Sequence, residues 1–246
     1  MPIHASPKVE EEDRRKAELF AALCAQGLLS PEDKPFWDLL TLARLQRMLS
    51  VLQQRTLYII VGMEAVDDGH NQAAILRSAE AFGVQEVAVV TGQAPFEPSE
   101  RVTQGAHKWL TIRKYPNIQA AMAHLRQRGY RIWASRLDER AVPIDQVDLS
   151  QPAAFFFGNE HEGLSPEALR LADGSFIIPM VGFAQSLNVS VAAAITLFHV
   201  TRRAREEVGT RYYLTSEQQA SILRHWLRTA TPAVRRLHRA TGKKKG

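Results

Sequence analysis

From Leu57 onward the chain alternates short strand-like runs with helical stretches. "LYIIVG", "EVAVVTG", "LTIRKY", "YRIWAS", "AAFFFG" and "SFIIPM" are β-branched or aromatic, and between several of them lie "HNQAAILRSAEAFG" and "NIQAAMAHLRQRG". Strands apolar on both faces and separated by helices predict a parallel sheet covered on both sides, an α/β domain over residues 56–205. It closes with the helical run "NVSVAAAITLFHVTRRAR". Before it, residues 1–55 read as a helical extension, with "AELFAALCAQGLL" and "FWDLLTLARLQRMLSVL" spacing apolar residues three and four apart around the break "SPEDKP". After it, residues 206–246 read as a basic helical tail containing "SEQQASILRHWLRT" and "PAVRRLHRA".

Charge is unevenly placed. The whole chain is +5, yet from Arg202 on it carries twelve basic residues against three acidic ones. That asymmetry points to a polyanionic partner met mainly by the C-terminal end. The apolar runs are far shorter than the ~20 residues of a membrane span, and the acidic N-terminus lacks a signal-peptide apolar region, so a cytoplasmic protein without a membrane partner is expected. Cys24 is the only cysteine, which excludes an intrachain disulfide and a cysteine-built zinc cluster.

Several common chemistries lack their motifs. No strand leads into GxGxxG or GxxxxGK, which disfavours ordinary dinucleotide and nucleotide-triphosphate sites. His161-Glu162 opens like a zinc-binding helix, but Ser165 stands where the second histidine belongs. No metal site is expected.

Three polar segments that follow strand-like runs remain. "HNQAAILRSAEAFG" holds Asn71, a candidate helix cap, and Arg77 six residues later. "FFFGNEHEGLS" turns three aromatic residues into a knot of glycine, amide and carboxylate, ending at the helix start Ser165-Pro166. "IIPMVGFAQSLNVSVAAAI" breaks at Pro179 and leads through Ser186 and Asn188 into a helix of small residues. Taken singly, each reads as an ordinary cap or amphipathic helix. Taken together they form one pattern, because open parallel sheets bind ligands outside the carboxyl ends of their strands.

In order, spacing and residue type these three segments, with the linking "GAHKWLTIRKYP", resemble the signature motifs of SPOUT RNA methyltransferases. The likeness covers residues 57–205 and is greatest to the TrmH/SpoU branch, which methylates ribose 2′-oxygens of tRNA. The resemblance implies an α/β domain with a deep C-terminal trefoil knot, an exception to the usual rule of unthreaded connections. It implies a homodimer, S-adenosylmethionine as cofactor, tRNA rather than DNA as substrate, and guanosine 18 of the D-loop as target.

Carried over residue by residue, the cofactor contacts fall on Ser135, Gly158, Ile178, Met180 and Leu187. The catalytic positions fall on Asn71, Arg77, Glu160, Ser186 and Asn188. The resemblance implies that Arg77 acts on the ribose hydroxyl with help from the RNA phosphate; because a guanidinium stays protonated near neutral pH, the expected role is to clamp the phosphate beside the target ribose, with literal proton removal as the alternative. Asn71 would fix the loop that aims it, and Glu160, Ser186 and Asn188 would orient Arg77, the ribose-phosphate and the knot loops. Two other readings stay open: an rRNA 2′-O-methyltransferase of the same fold, and a catalytically silent RNA-binding relative. The chain departs from short family members in the some fifty residues before Leu57.

Overall fold

A computed structural model describes residues 7–136 and 141–242. In chain order the elements are α1 (Pro7–Ala25), α2 (Lys34–Asp38), α3 (Leu42–Leu52), β1 (Ile59–Glu64), α4 (Gly69–Ala81), β2 (Glu86–Val90), α5 (Glu100–Thr103) and β3 (Thr111–Tyr115). They continue with α6 (Ile118–Gln127), β4 (Arg131–Ser135), β5 (Val142–Pro143), β6 (Ala153–Phe157), α7 (Pro166–Leu171), β7 (Gly174–Ile177), α8 (Val189–Val208), α9 (Ser216–Thr229) and α10 (Pro232–Gly242). The chain forms two compact units. One spans Arg55–Tyr213; the other runs up to Gln54 and resumes at Leu214.

Among the described residues of the Arg55–Tyr213 unit, seven strands lie parallel in the order β3-β2-β1-β6-β4-β7-β5. The central strands β1, β2 and β6 are buried at every position, as expected where both faces are covered. Because successive side chains point to opposite faces, the sheet has two cores. Val61, Val87, Phe155 and Phe157 pack with Ile75 and Leu76 of α4 and with Ala193, Leu197 and Val200 of α8. Ile60, Ala88, Ile132 and Phe156 pack on the other side with Met122 and Leu125 of α6 and Ala168 of α7. Gly62 in β1 is what lets Phe156 lie flat on its neighbour, since a Cβ there would sit 2.5 Å from the ring.

The second unit is helical. Its α3 packs against α1 and α9, and α9 and α10 pack against each other and against α2. Trp37 and Trp226 are fully buried in its core with Leu45, Leu223 and Leu227. Asp33, also fully buried, is held by Arg228 at 2.7 Å and Arg224 at 3.4 Å. A buried charge survives only when paired and hydrogen-bonded in this way. No described helix is long and apolar enough to cross a membrane.

Candidate active site

The carboxyl ends of β4, β6 and β7 open on one cavity of about 600 Å³ in the Arg55–Tyr213 unit. Its wall over residues 158–164 follows directly from β6. Asn159 and Gly163 exchange both backbone hydrogen bonds at 2.9 Å, leaving Glu160, His161 and Glu162 as the tip. The Asn159 side chain sets that turn, its Oδ1 accepting from the amides of His161 and Glu162 while its Nδ2 donates to the Ala65 carbonyl at 2.9 Å. Gly158 is required by the close return of the chain. A Cβ on it would lie 2.1 Å from the carbonyl carbon of Gly163.

The opposite wall is the segment 178–188 between β7 and α8. It ends in Asn188, whose Oδ1 accepts from the Ser190 and Val191 amides and from the Ser190 hydroxyl, capping α8. Val189 and Ala192 of the first helical turn face the cavity. Small residues here let the helix end sit close to whatever fills the space.

All five sequence-derived cofactor positions, Ser135, Gly158, Ile178, Met180 and Leu187, line this cavity, as do Glu160, Ser186 and Asn188. Asn71 reaches it through hydrogen bonds. Its Nδ2 donates to Glu160 Oε1 at 2.6 Å, and its Oδ1 accepts from Asn188 Nδ2 at 3.1 Å. One amide therefore ties the first turn of α4 to the 158–164 and 178–188 segments. Asn71 is not the cap of α4, as its sequence position allowed. Asp68 is, its Oδ1 accepting from the His70 and Asn71 amides at 2.7 and 2.9 Å. The Asn71 amide, then that of His70, holds the Asp68 carboxyl below its usual value. With the cap supplied elsewhere, the Asn71 side chain is left to bridge Glu160 and Asn188.

Arg77 does not join this cluster within one chain. Six residues along a helix turn it roughly 120° away from Asn71, and it is exposed with its Nη1 3.5 Å from the Val102 carbonyl. Sequence reasoning also passed over Asn159 and a buried carboxylate, Glu64, at the end of β1. The available signals were an asparagine directly after the glycine of a tight loop, and an acid closing an otherwise apolar strand.

A parallel α/β sheet with a ligand-sized cavity at its strand ends, walled by tight loops and lined by both apolar and polar groups, defines an α/β enzyme domain of the kind that takes a small-molecule cofactor. The chain belongs to the SpoU rRNA methylase family, whose model matches residues 58–198. A tRNA (guanosine(18)-2′-O)-methyltransferase of Thermus thermophilus is 40% identical over 189 residues, 76% of this chain and 97% of that protein. The enzyme of that name from Escherichia coli K12 is 37% identical over 68% of this chain and 72% of its own. Among solved structures, the A. aeolicus TrmH/SpoU tRNA modifying enzyme superposes with a TM-score of 0.69 at 38% identity, covering 75% of this chain and 95% of that one. The SpoU methyltransferase AviRb from Streptomyces viridochromogenes, in complex with AdoMet, gives 0.55 at 27% identity over 63% of this chain and 61% of that one.

Proposed function

We propose that this protein is an S-adenosylmethionine-dependent tRNA 2′-O-ribose methyltransferase acting on guanosine 18. The observation that carries the reading is the meeting of Asn71, from the first turn of α4, with Glu160 and Asn188, from two separate loops, at the edge of a cavity lined by all five cofactor positions. The cavity suits the cofactor chemically. Phe176, Leu187 and Val189 offer apolar surface for a flat base, Gly158 lets a ligand approach the backbone, and Glu160 and Glu162 place carboxylates near a cationic group. Ser135, Gly158, Ile178, Met180 and Leu187 would hold it. When bound, S-adenosylmethionine supplies an electrophilic methyl carried on a sulfonium.

What the chain itself contributes is position. Aligning an oxygen nucleophile with its target is worth ~7 to 11 kcal/mol, so little else is asked of the residues. Asn71, fixed through its backbone by Asp68, holds Glu160 and Asn188 at a set separation. Arg77, permanently cationic, grips the phosphate beside the ribose and stabilises charge developing on the 2′-oxygen.

The exposed position of Arg77 outside its own chain's cluster supports a homodimer in which it serves the site together with a second copy. So does an apolar stripe on α8. Val191, Ile195 and Phe198, at helical spacing, are 45%, 39% and 48% exposed, and Val181 and Phe183 of the 178–188 segment stand fully in solvent. An uncovered patch of this kind marks an interaction surface. The trefoil knot belongs to the same reading, supported by family membership and by the long 178–188 crossing between β7 and α8. The helical unit offers the tRNA two arginines of α10, the exposed Arg236 and the half-buried Arg235; Lys243, Lys244 and Lys245 lie outside the described residues. A cytoplasmic location follows from the substrate.

The test is incubation with unmodified tRNA and labelled cofactor, with mapping of the modified nucleotide. A methyl on the ribose of guanosine 18 is expected, lost in Arg77→Ala while cofactor binding persists. A methyl appearing only on rRNA, or none at all, overturns the reading.

A further inference from the structure

Glu64 is used by nothing described so far. It closes β1, is 7% exposed, and among the described residues has no ion-pair partner. A carboxylate this buried must earn its place through hydrogen bonds. Both of its oxygens are taken by one residue, Ser165, whose amide donates to Oε2 at 2.9 Å and whose hydroxyl donates to Oε1 at 2.8 Å. The same hydroxyl oxygen accepts from the Ala168 amide at 3.0 Å and so caps α7. Its proton is committed to Glu64 and a lone pair to the helix, which leaves the Ser165 side chain one orientation.

We infer that Glu64 is a positioning residue for the cavity wall 158–164, acting through Ser165. That wall has two feet. One is Asn159, bonded through Nδ2 to the carbonyl of Ala65; the other is Ser165, bonded to Glu64. Both feet thus stand on two consecutive residues at the end of β1. The second of these, Ala65, holds a left-handed φ of 53°, uncommon for a residue with a side chain, and is pinned by its amide to the Val90 carbonyl at 2.9 Å. The strand end that anchors the wall also launches the segment leading to Asn71, whose amide meets the wall's own Glu160. Glu64 therefore fixes the spacing of the cofactor wall from the start of α4, which carries Asn71. An apolar residue would release one foot. A glutamine presents one acceptor and one donor where Ser165 offers two donors, and keeps only part of the clamp.

The inference rests on the proposed activity for its kinetic readout but not for its structural one. In the full-length protein, Glu64→Ala should raise the cofactor KM, and the dissociation constant for S-adenosylhomocysteine by calorimetry, about tenfold or more. The tRNA KM should not change. Hydrogen exchange should quicken at the amides of residues 159–164 while those of β1 and β6 keep their protection. Glu64→Gln should fall between, and Ser165→Ala should reproduce the loss with the double variant no worse than the poorer single one. A mere fold defect would instead lower the active fraction and leave KM alone. Wild-type cofactor affinity and wall protection in Glu64→Ala would overturn the inference. If that variant does not fold, Glu64→Gln and Ser165→Ala decide it by the same two measurements. If the wild-type protein binds no S-adenosylhomocysteine, the proposed function fails, and the exchange of residues 159–164 still decides the role of Glu64.

Discussion

Gly158 has no side chain, and none fits: the return of the loop puts the Gly163 carbonyl carbon 2.1 Å from where a Cβ would be. Because the obstruction is backbone, the loop must move as a whole. Gly158→Ala is expected to cost about 1–3 kcal/mol, the usual range for overpacking, and to abolish cofactor binding by displacing the wall. Thermal unfolding and calorimetric titration check the two effects separately. Asn71 shows the complementary case, a side chain whose value lies in its partners. Asn71→Ala leaves the Asp68 cap in place, since that bond uses the Asn71 backbone, but frees Glu160 and Asn188. Single-turnover methyl transfer should fall about 100-fold, the effect of an ångström-scale misplacement, with the melting temperature nearly unchanged. Transfer at the wild-type rate would remove Asn71 from the site.

At the scale of elements, the helical unit depends on one buried charge. Asp33 sits in the turn between α1 and α2, and its carboxylate faces Arg224 and Arg228 of α9, residues nearly 200 positions away. Ser30 donates to the same carboxylate from its amide and hydroxyl. Asp33→Asn leaves the two cations facing a neutral amide, and breaking a buried pair from one side costs about 3 kcal/mol or more. Trp37 and Trp226 lie in this unit and Trp109 and Trp133 in the other. Urea unfolding followed by fluorescence in single-tryptophan variants should therefore show the loss in the helical unit alone. An unshifted midpoint there would mean the pair contributes nothing net. The same architecture argues against testing RNA contact by deleting the tail, because α9 supplies Leu223, Trp226 and Leu227 to that unit's core. Charge-removing substitutions at Arg235 and Arg236 leave it intact.

For the molecule as a whole, assembly and alkaline stability carry distinct signatures. If the α8 stripe joins two copies, Ile195→Glu should yield a monomer in sedimentation and a parallel loss of methyl transfer, without loss of helix content. A dimer that survives this charge would place the contact elsewhere. Alkaline unfolding should be governed by buried phenols. Burial pushes Tyr130 up to about 12, the Arg128 cation offsetting part of the rise, and burial likewise raises Tyr58 and Tyr212. A group whose folded value exceeds its unfolded value of about 10 adds stability that is complete below pH 10 and is lost as pH climbs towards 12. Tyr130→Phe should therefore flatten the fall in stability between pH 10 and 12, while costing about 1 kcal/mol at neutral pH for the hydrogen bond its hydroxyl donates to the Leu57 carbonyl.

The period of the apolar residues, the breaks at Pro179 and in "GNEHEG", and the three motifs were enough to lay out the α/β domain, its alternating strands and helices and the loops that line the cavity. These are local properties, written in a few neighbouring residues, and they survive being read one segment at a time. Other features depend on residues that are neighbours only in space. Nothing in "LYIIVGME" says that its last residue meets Ser165, that β6 lies beside β1, or that Asp68 and not Asn71 caps α4. The α1–α3 segment and the α9–α10 segment each show a helical period, yet that they bury Trp37 and Trp226 in one unit follows from chain return over some 160 residues. Periodicity reports which face of an element is apolar; which partner covers that face is settled by long-range packing, and only the folded chain decides it.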